Sequence, residues 1–127
     1  MSGPARAGLS IYVKDKKRLS SFYEMIFGMS RLHDSDDVTV LQSPDIQFVI
    51  HRIPENRSLN ITIDTPPKTR DSALKFFFTV SSIAVARSVA QELGGGIDFE
   101  QWQGPGFIVC NGHDPEGNVF HVRESLA

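Results

Sequence analysis

The chain has little with which to cross-link itself, bind a polyanion or enter a bilayer. Its one cysteine, Cys110, can form neither an internal disulfide nor a multi-thiolate zinc site, and it suits a reducing compartment. Lysine and arginine total 13 against 15 aspartate and glutamate residues, for a net charge of -2, and no basic run carries interleaved aromatics. The chain therefore does not read as a nucleic-acid-binding protein. The longest apolar stretch, around Phe76 to Val80, falls far short of the roughly 20 residues a membrane helix needs, and Met1 to Gly8 has no apolar leader segment. Together these features imply no membrane partner and a cytoplasmic location. A Gly-x-Ser-x-Gly elbow is also missing, and Cys110 has no candidate base beside it, so no nucleophilic triad is legible. Gly94-Gly95-Gly96 follows a helical pattern rather than preceding one, which makes it a helix stop and not a phosphate loop.

What the 127 residues do carry is alternation, enough for a single domain with a real core. Leu9, Ile11 and Val13 alternate with Ser10, Tyr12 and Lys14, the pattern of a strand with one apolar and one mixed face. Asp15 is the cap of a helix whose stripe is Leu19, Phe22, Tyr23 and Ile26, and Gly28 stops it. The cations Lys16, Lys17 and Arg18 read as a solvated first turn. Short runs follow from Ser30 to His33, Val38 to Gln42 and Ile46 to Arg52, divided by Asp34-Ser35-Asp36-Asp37 and Ser43-Pro44-Asp45, as in an antiparallel meander. Between about 54 and 73 the composition turns polar and proline-bearing, a linker in which Leu59 to Ile63 alternates like a short edge strand.

After the linker the opening pattern returns. Phe76, Phe78 and Val80 alternate with Lys75, Phe77 and Thr79; Ser82 caps; Ala86, Val89, Ala90 and Leu93 form the stripe. A shift of 67 positions lays Val13 on Val80, Asp15 on Ser82, Phe22 on Val89 and Gly28 on Gly95, so the chain is an internal duplication. Module one runs over about 7–53 and module two over about 74–124. The second set of strands is roughly Ile97 to Gln101, Phe107 to Asn111 and Asn118 to Glu124, with turns at Gln103-Gly104-Pro105-Gly106 and Asp114-Pro115-Glu116-Gly117. The order strand, helix, three strands is written twice, an α+β class.

Two such modules, a Phe-Tyr in the first helix, Gly28 at its end and Asp-Pro-Glu-Gly-Asn before the last strand resemble the vicinal oxygen chelate superfamily, which includes glyoxalase I, bleomycin-resistance proteins and extradiol dioxygenases. The resemblance covers Leu9 to Glu124. It implies two βαβββ modules whose mixed sheets curl into cups, with helices on the convex side and ligands on the concave side. It also implies a homodimer, since members of this length commonly complete their cups from two chains. The metal ligands of such proteins map here onto Gly8, Lys75, His121 and either Val49 or, after a slip of two residues, His51. Gly8 has no side-chain donor and a protonated Lys75 would repel a cation, so no metal and no other cofactor is expected.

The mixed faces then supply the candidate ligand-binding residues: Ser10, Tyr12, Gln47, His51, Lys75, Phe77, Thr79, Trp102, His121 and Arg123. Lys75 and Arg123 suit an anion in a partly enclosed space, or else reach to solvent from strand ends. Tyr12, Phe77 and Trp102 suit an apolar body, with Trp102 in a Gly- and Pro-flanked loop as a lid or as plain packing. His121 is the candidate general base or ligand anchor, or a histidine bonded to a neighbouring strand. The function expected is a metal-independent small-molecule binding protein of the glyoxalase/bleomycin-resistance type, taking an anionic or oxygen-rich ligand with an apolar body. The alternatives are a glyoxalase-like metal-dependent lyase or isomerase and a metal-free acid-base enzyme using His121.

Overall fold

The computed structural model of the chain describes residues 5–127. Alternation and capping give β1 (Gly8–Val13), α1 (Lys16–Phe27), β2 (Ser30–Asp34), β3 (Val38–Gln42) and β4 (Gln47–Arg52), followed by a one-turn helix α2 (Glu55–Ser58). Module two supplies β5 (Phe76–Val80), α3 (Ile83–Glu92), β6 (Gly96–Gly104), β7 (Phe107–His113) and β8 (Val119–Ser125). Each set of four strands makes its own mixed sheet, in the orders β1-β4-β3-β2 and β5-β8-β7-β6. The first strand of each module pairs parallel with the last, and the remaining pairs are antiparallel. The architecture is two βαβββ modules with flanking helices.

Both helices start as their caps dictate. The Asp15 carboxylate accepts from Arg18 N at 3.1 Å and the Ser82 hydroxyl from Val85 N at 3.1 Å, satisfying backbone donors that the first turn leaves free. Gly28 ends α1 at φ 61 in the left-handed region, whereas α3 reaches that conformation at Gly94 rather than at Gly95. The stripe of α1, Leu19, Phe22, Tyr23 and Ile26, is buried against Leu41, Phe48 and Ile50 of sheet one and against Phe120 and Val122 of sheet two. One core therefore serves both modules.

The Asp114 turn closes that core. Gly117 N donates to Asp114 O at 3.0 Å, the bond of a type I turn, but the turn is not at the surface: Asp114, Pro115 and Glu116 are buried. The Asp114 carboxylate accepts from Tyr23 Oη at 2.6 Å, Glu116 N at 2.8 Å, Asn118 N at 3.0 Å and Asn118 Nδ2 at 2.9 Å. The two oxygens of Glu116 accept from Lys14 N and Asp15 N, each at 2.7 Å, at the junction of β1 and α1. One turn of module two thus fastens the helix of module one through charge-assisted bonds in a low-dielectric site. Gly117, at φ +83, passes beneath the Lys68 carbonyl, where a Cβ has no room.

Three further details differ from the sequence reading. Lys16 is not solvated: its ammonium is buried and donates to Asp34 Oδ1 and Thr39 Oγ1, each at 2.8 Å, tying α1 to β2 and β3, while Lys17 and Arg18 remain exposed. The same contacts hold the Asp34 carboxyl well below the usual range, through hydrogen bonds from Lys16 and Thr39. Leu59 to Ile63 forms no strand. The Lys14 ammonium donates to the Ile61 carbonyl, and the segment from α2 onward runs as turn and coil. The third difference is at Trp102. Only Pro105-Gly106 separates β6 from β7, with Gly106 at φ +79, so β6 continues through Trp102 to Gly104.

Candidate functional site

The strand registers sort the predicted residues onto the faces turned away from the core. In sheet one, Ser10 pairs with Val49, Tyr12 with His51 and Gly8 with Gln47, which puts Ser10, Tyr12, Gln47 and His51 on one face. Tyr12 and His51 stack with centroids 4.6 Å apart and an interplanar angle of 12°, beside a recess of about 590 Å³ also lined by Asp37, Val38, Arg52, Pro54 and Glu55. In sheet two, Phe77 pairs with His121 and His121 with Asn111; Thr79 pairs with Arg123, Arg123 with Val109 and Val109 with Trp102. Phe77, Thr79, Trp102, His121 and Arg123 therefore share the second mixed face, with Lys75 immediately before β5. The ten residues form two groups, one on each sheet. Trp102 is a strand residue, 47% exposed, and is neither a loop lid nor packed away.

The registers also settle the mapping of His121 onto module one. Ser10 and Phe77 stand 67 positions apart, and their partners are Val49 and His121. Tyr12 and Thr79 stand at the same shift, with partners His51 and Arg123. Val49, not His51, is the counterpart of His121. The positions at which a metal-using relative would place its ligands are then Gly8, Val49, Lys75 and His121, a single imidazole with no second neutral or anionic donor. That set does not fit a divalent ion. Among the described residues, no three His, Cys, Asp or Glu side chains gather where they could share one.

The electrostatics of the second face are one-sided. The Lys75 ammonium reaches Asn111 Oδ1 at 3.4 Å, and Arg123 lies beside Phe77 and Phe107. Burial of the imidazole, and then the neighbouring charges of Lys75 and Arg123, hold the pKa of His121 below the ordinary histidine value. A ring so placed is neutral at neutral pH and offers a lone pair as well as an N–H. Because its folded-state value is depressed, whatever stability the neutral ring lends is present above the ordinary histidine pKa and is lost as pH falls through the folded value. An NMR titration of the His121 ring protons should give a midpoint below that of an unperturbed histidine. In Lys75→Ala the midpoint should rise; an unchanged one would mean that burial and Arg123 set it without Lys75.

The residues that sequence reasoning missed on this face are Asn111, Val109 and Phe107, all on β7. The alternation of Phe107 to Asn111 carried the signal, once β7 was paired with β8. Phe107 is the one whose absence from the candidate set matters most, because its ring lies over Arg123.

The fold is that of the vicinal oxygen chelate superfamily. Among solved structures the chain is similar to a glyoxalase/bleomycin resistance protein/dioxygenase family enzyme from Burkholderia phytofirmans PsJN, at TM-score 0.72 and 17% identity over 97% of this chain and 100% of that one. It is similar also to a glyoxalase/bleomycin resistance protein from Albidiferax ferrireducens T118, at TM-score 0.66 and 17% identity over 93% and 96% of the two chains. The genomically encoded fosfomycin resistance protein FosX from Listeria monocytogenes aligns at TM-score 0.66 and 14% identity over 98% and 94%. No sequence-family model and no curated protein matches the chain. At such identities the likeness establishes the architecture, and the chemistry rests on the residues themselves.

Proposed function

We propose that this is a metal-independent small-molecule binding protein of the glyoxalase/bleomycin-resistance type, cytoplasmic, holding an anionic or oxygen-rich ligand with an apolar body against its mixed faces. The observation that carries the reading is the second face: Lys75 and Arg123 beside a neutral His121, on a floor made by Phe77 and Phe107. Arg123, half-withdrawn from water, binds an anion more strongly than a solvated cation does, exposed Lys75 adds charge of the same sign, and the rings suit an apolar body. The module-one face contributes hydrogen-bonding groups in Ser10, Tyr12, Gln47 and His51. A second reading, a metal-free acid-base enzyme, is favoured by one observation: the depressed pKa of His121 keeps a base available at neutral pH.

The working unit we propose is a homodimer. β1 and β5 each lie at an end of their sheet with one unpaired edge, and Tyr12 and Phe77, on the face each sheet turns away from the core, are 63% and 48% exposed. A second chain laid along those edges would pair the free backbone groups and bring a module-one face beside a module-two face.

Protein purified without chelator is expected to carry no equimolar divalent metal and to sediment as a dimer. A bound ion that disappears in His121→Ala would overturn the metal-independent reading. A monomer at micromolar concentration would overturn the dimer.

A further inference from the structure

Arg123 leaves β8 between two phenylalanines, one on each neighbouring strand. Its Cζ lies 3.6 Å from the ring centroid of Phe77 on β5 and 4.1 Å from that of Phe107 on β7. Stacking of this kind is common for a weakly hydrated guanidinium and by itself implies only packing. Two further observations go beyond packing. The Nε atom is shut off from water and has no hydrogen-bond partner, a costly state for a polar group. The ion pairs of the described residues are Lys16–Asp34, Arg31–Glu24, Arg31–Asp34 and Arg52–Asp37, and none of them involves Arg123. Its charged and titratable neighbours on this face are Lys75 and His121, and the adjacent Glu124 is turned to the other side, where it accepts from Ile83 N at 2.7 Å. A clamped guanidinium beside Lys75 and a neutral His121, with no ion pair among the described residues, is a place where a ligand would supply the anion.

The clamp also restricts the shape of that anion. With a ring face on either flank, the guanidinium can be approached only in its own plane, where a flat carboxylate can meet the terminal N–H groups as a two-point fork. A tetrahedral phosphonate in the same place would turn an oxygen toward a ring face. Resting on the reading of the mixed face as the ligand site, we propose that Arg123, held by Phe77 and Phe107, is the specificity-determining residue. The group it reads is a carboxylate on an apolar body.

The only tryptophan in the chain reports on this site. Trp102 lies on the same face two strands from Arg123, at a distance of about 10 Å by strand spacing. Benzoate, benzamide and phenylphosphonate would be titrated into the full chain, following Trp102 fluorescence and the Arg123 Nε–H resonance in a proton–nitrogen NMR spectrum. Benzoate is expected to saturate both signals in the millimolar range, with each of the other two weaker by about tenfold, and Arg123→Lys, which keeps the charge but loses the fork, should weaken benzoate by about tenfold with thermal unfolding unchanged. Benzamide or phenylphosphonate binding as tightly as benzoate, or an Arg123→Lys variant that binds benzoate normally, would overturn the carboxylate assignment while leaving the mixed face as a ligand site. Silence of Trp102 and of the Arg123 Nε–H resonance toward all three probes would overturn the site itself.

Discussion

Asp114→Ala is expected to destabilise the fold by roughly 3–4 kcal/mol, or to leave too little native protein to purify. The substitution leaves four donors without their acceptor: the Tyr23 hydroxyl and Glu116 N in the interior, and Asn118 N and the Asn118 amide in a part-buried position. Bulk water does not reach the stranded Tyr23 hydroxyl, because Asp114 and Tyr23 are both fully buried. Burial raises the Tyr23 pKa well above its ordinary value, with the Asp114 charge adding to the effect, so the phenol remains a donor at any pH at which the protein folds. Urea denaturation of a graded series checks the assignment. Asp114→Asn keeps one oxygen for the two backbone donors and should lose about half as much. Tyr23→Phe removes a single donor and should cost about 1–2 kcal/mol. If Asp114→Ala stayed within about 1 kcal/mol of the parent, the turn would not be what fastens the modules together.

This turn also shows what could and could not be read from the residues in order. The sequence Asp-Pro-Glu-Gly specifies a turn, because each residue suits its corner, and the structure has that turn with that hydrogen bond. Its burial was not legible, since the partner hydroxyl is 91 positions away on α1 and nothing local in a turn announces a long-range acceptor. Lys16 fails in the same way: a lysine in a first helical turn looks solvated until β2 and β3 bring Asp34 and Thr39 to its ammonium. Face assignment succeeded because the period of a strand is two whatever lies beyond it. It fails at Trp102, where a glycine- and proline-rich stretch predicts a four-residue turn although a Pro-Gly pair is enough to reverse the chain. The strand faces on which the candidate residues lie were thus legible. Their division between two sheets, the clamp on Arg123 and the equivalence of Val49 with His121 required the registers.

The alternation itself can be tested with one residue type. Phe76, Phe77 and Phe78 are consecutive on β5. Phe76 packs on Phe48 and Phe120, with ring centroids 5.2 and 5.9 Å away, and Phe78 packs on Phe27 at 4.7 Å. Phe77 points the other way and is 48% exposed beside Arg123. Phe120 is fully buried where the α1 stripe meets sheet two, so Phe120→Ala should cost roughly 4 kcal/mol through lost contacts and the cavity left behind. Phe76→Ala and Phe78→Ala, partly buried, should cost about 2–3 kcal/mol each, and Phe77→Ala less than about 1 kcal/mol. Under the proposed function the order reverses for ligand binding, because only Phe77 belongs to the face that meets the ligand. Phe77→Ala should unfold near the parent's midpoint and yet lose the benzoate response, whereas the partly buried variants should be less stable and keep that response while folded. Stability and binding would then separate between adjacent residues of identical chemistry, which requires that the core and the ligand lie on opposite faces of one strand.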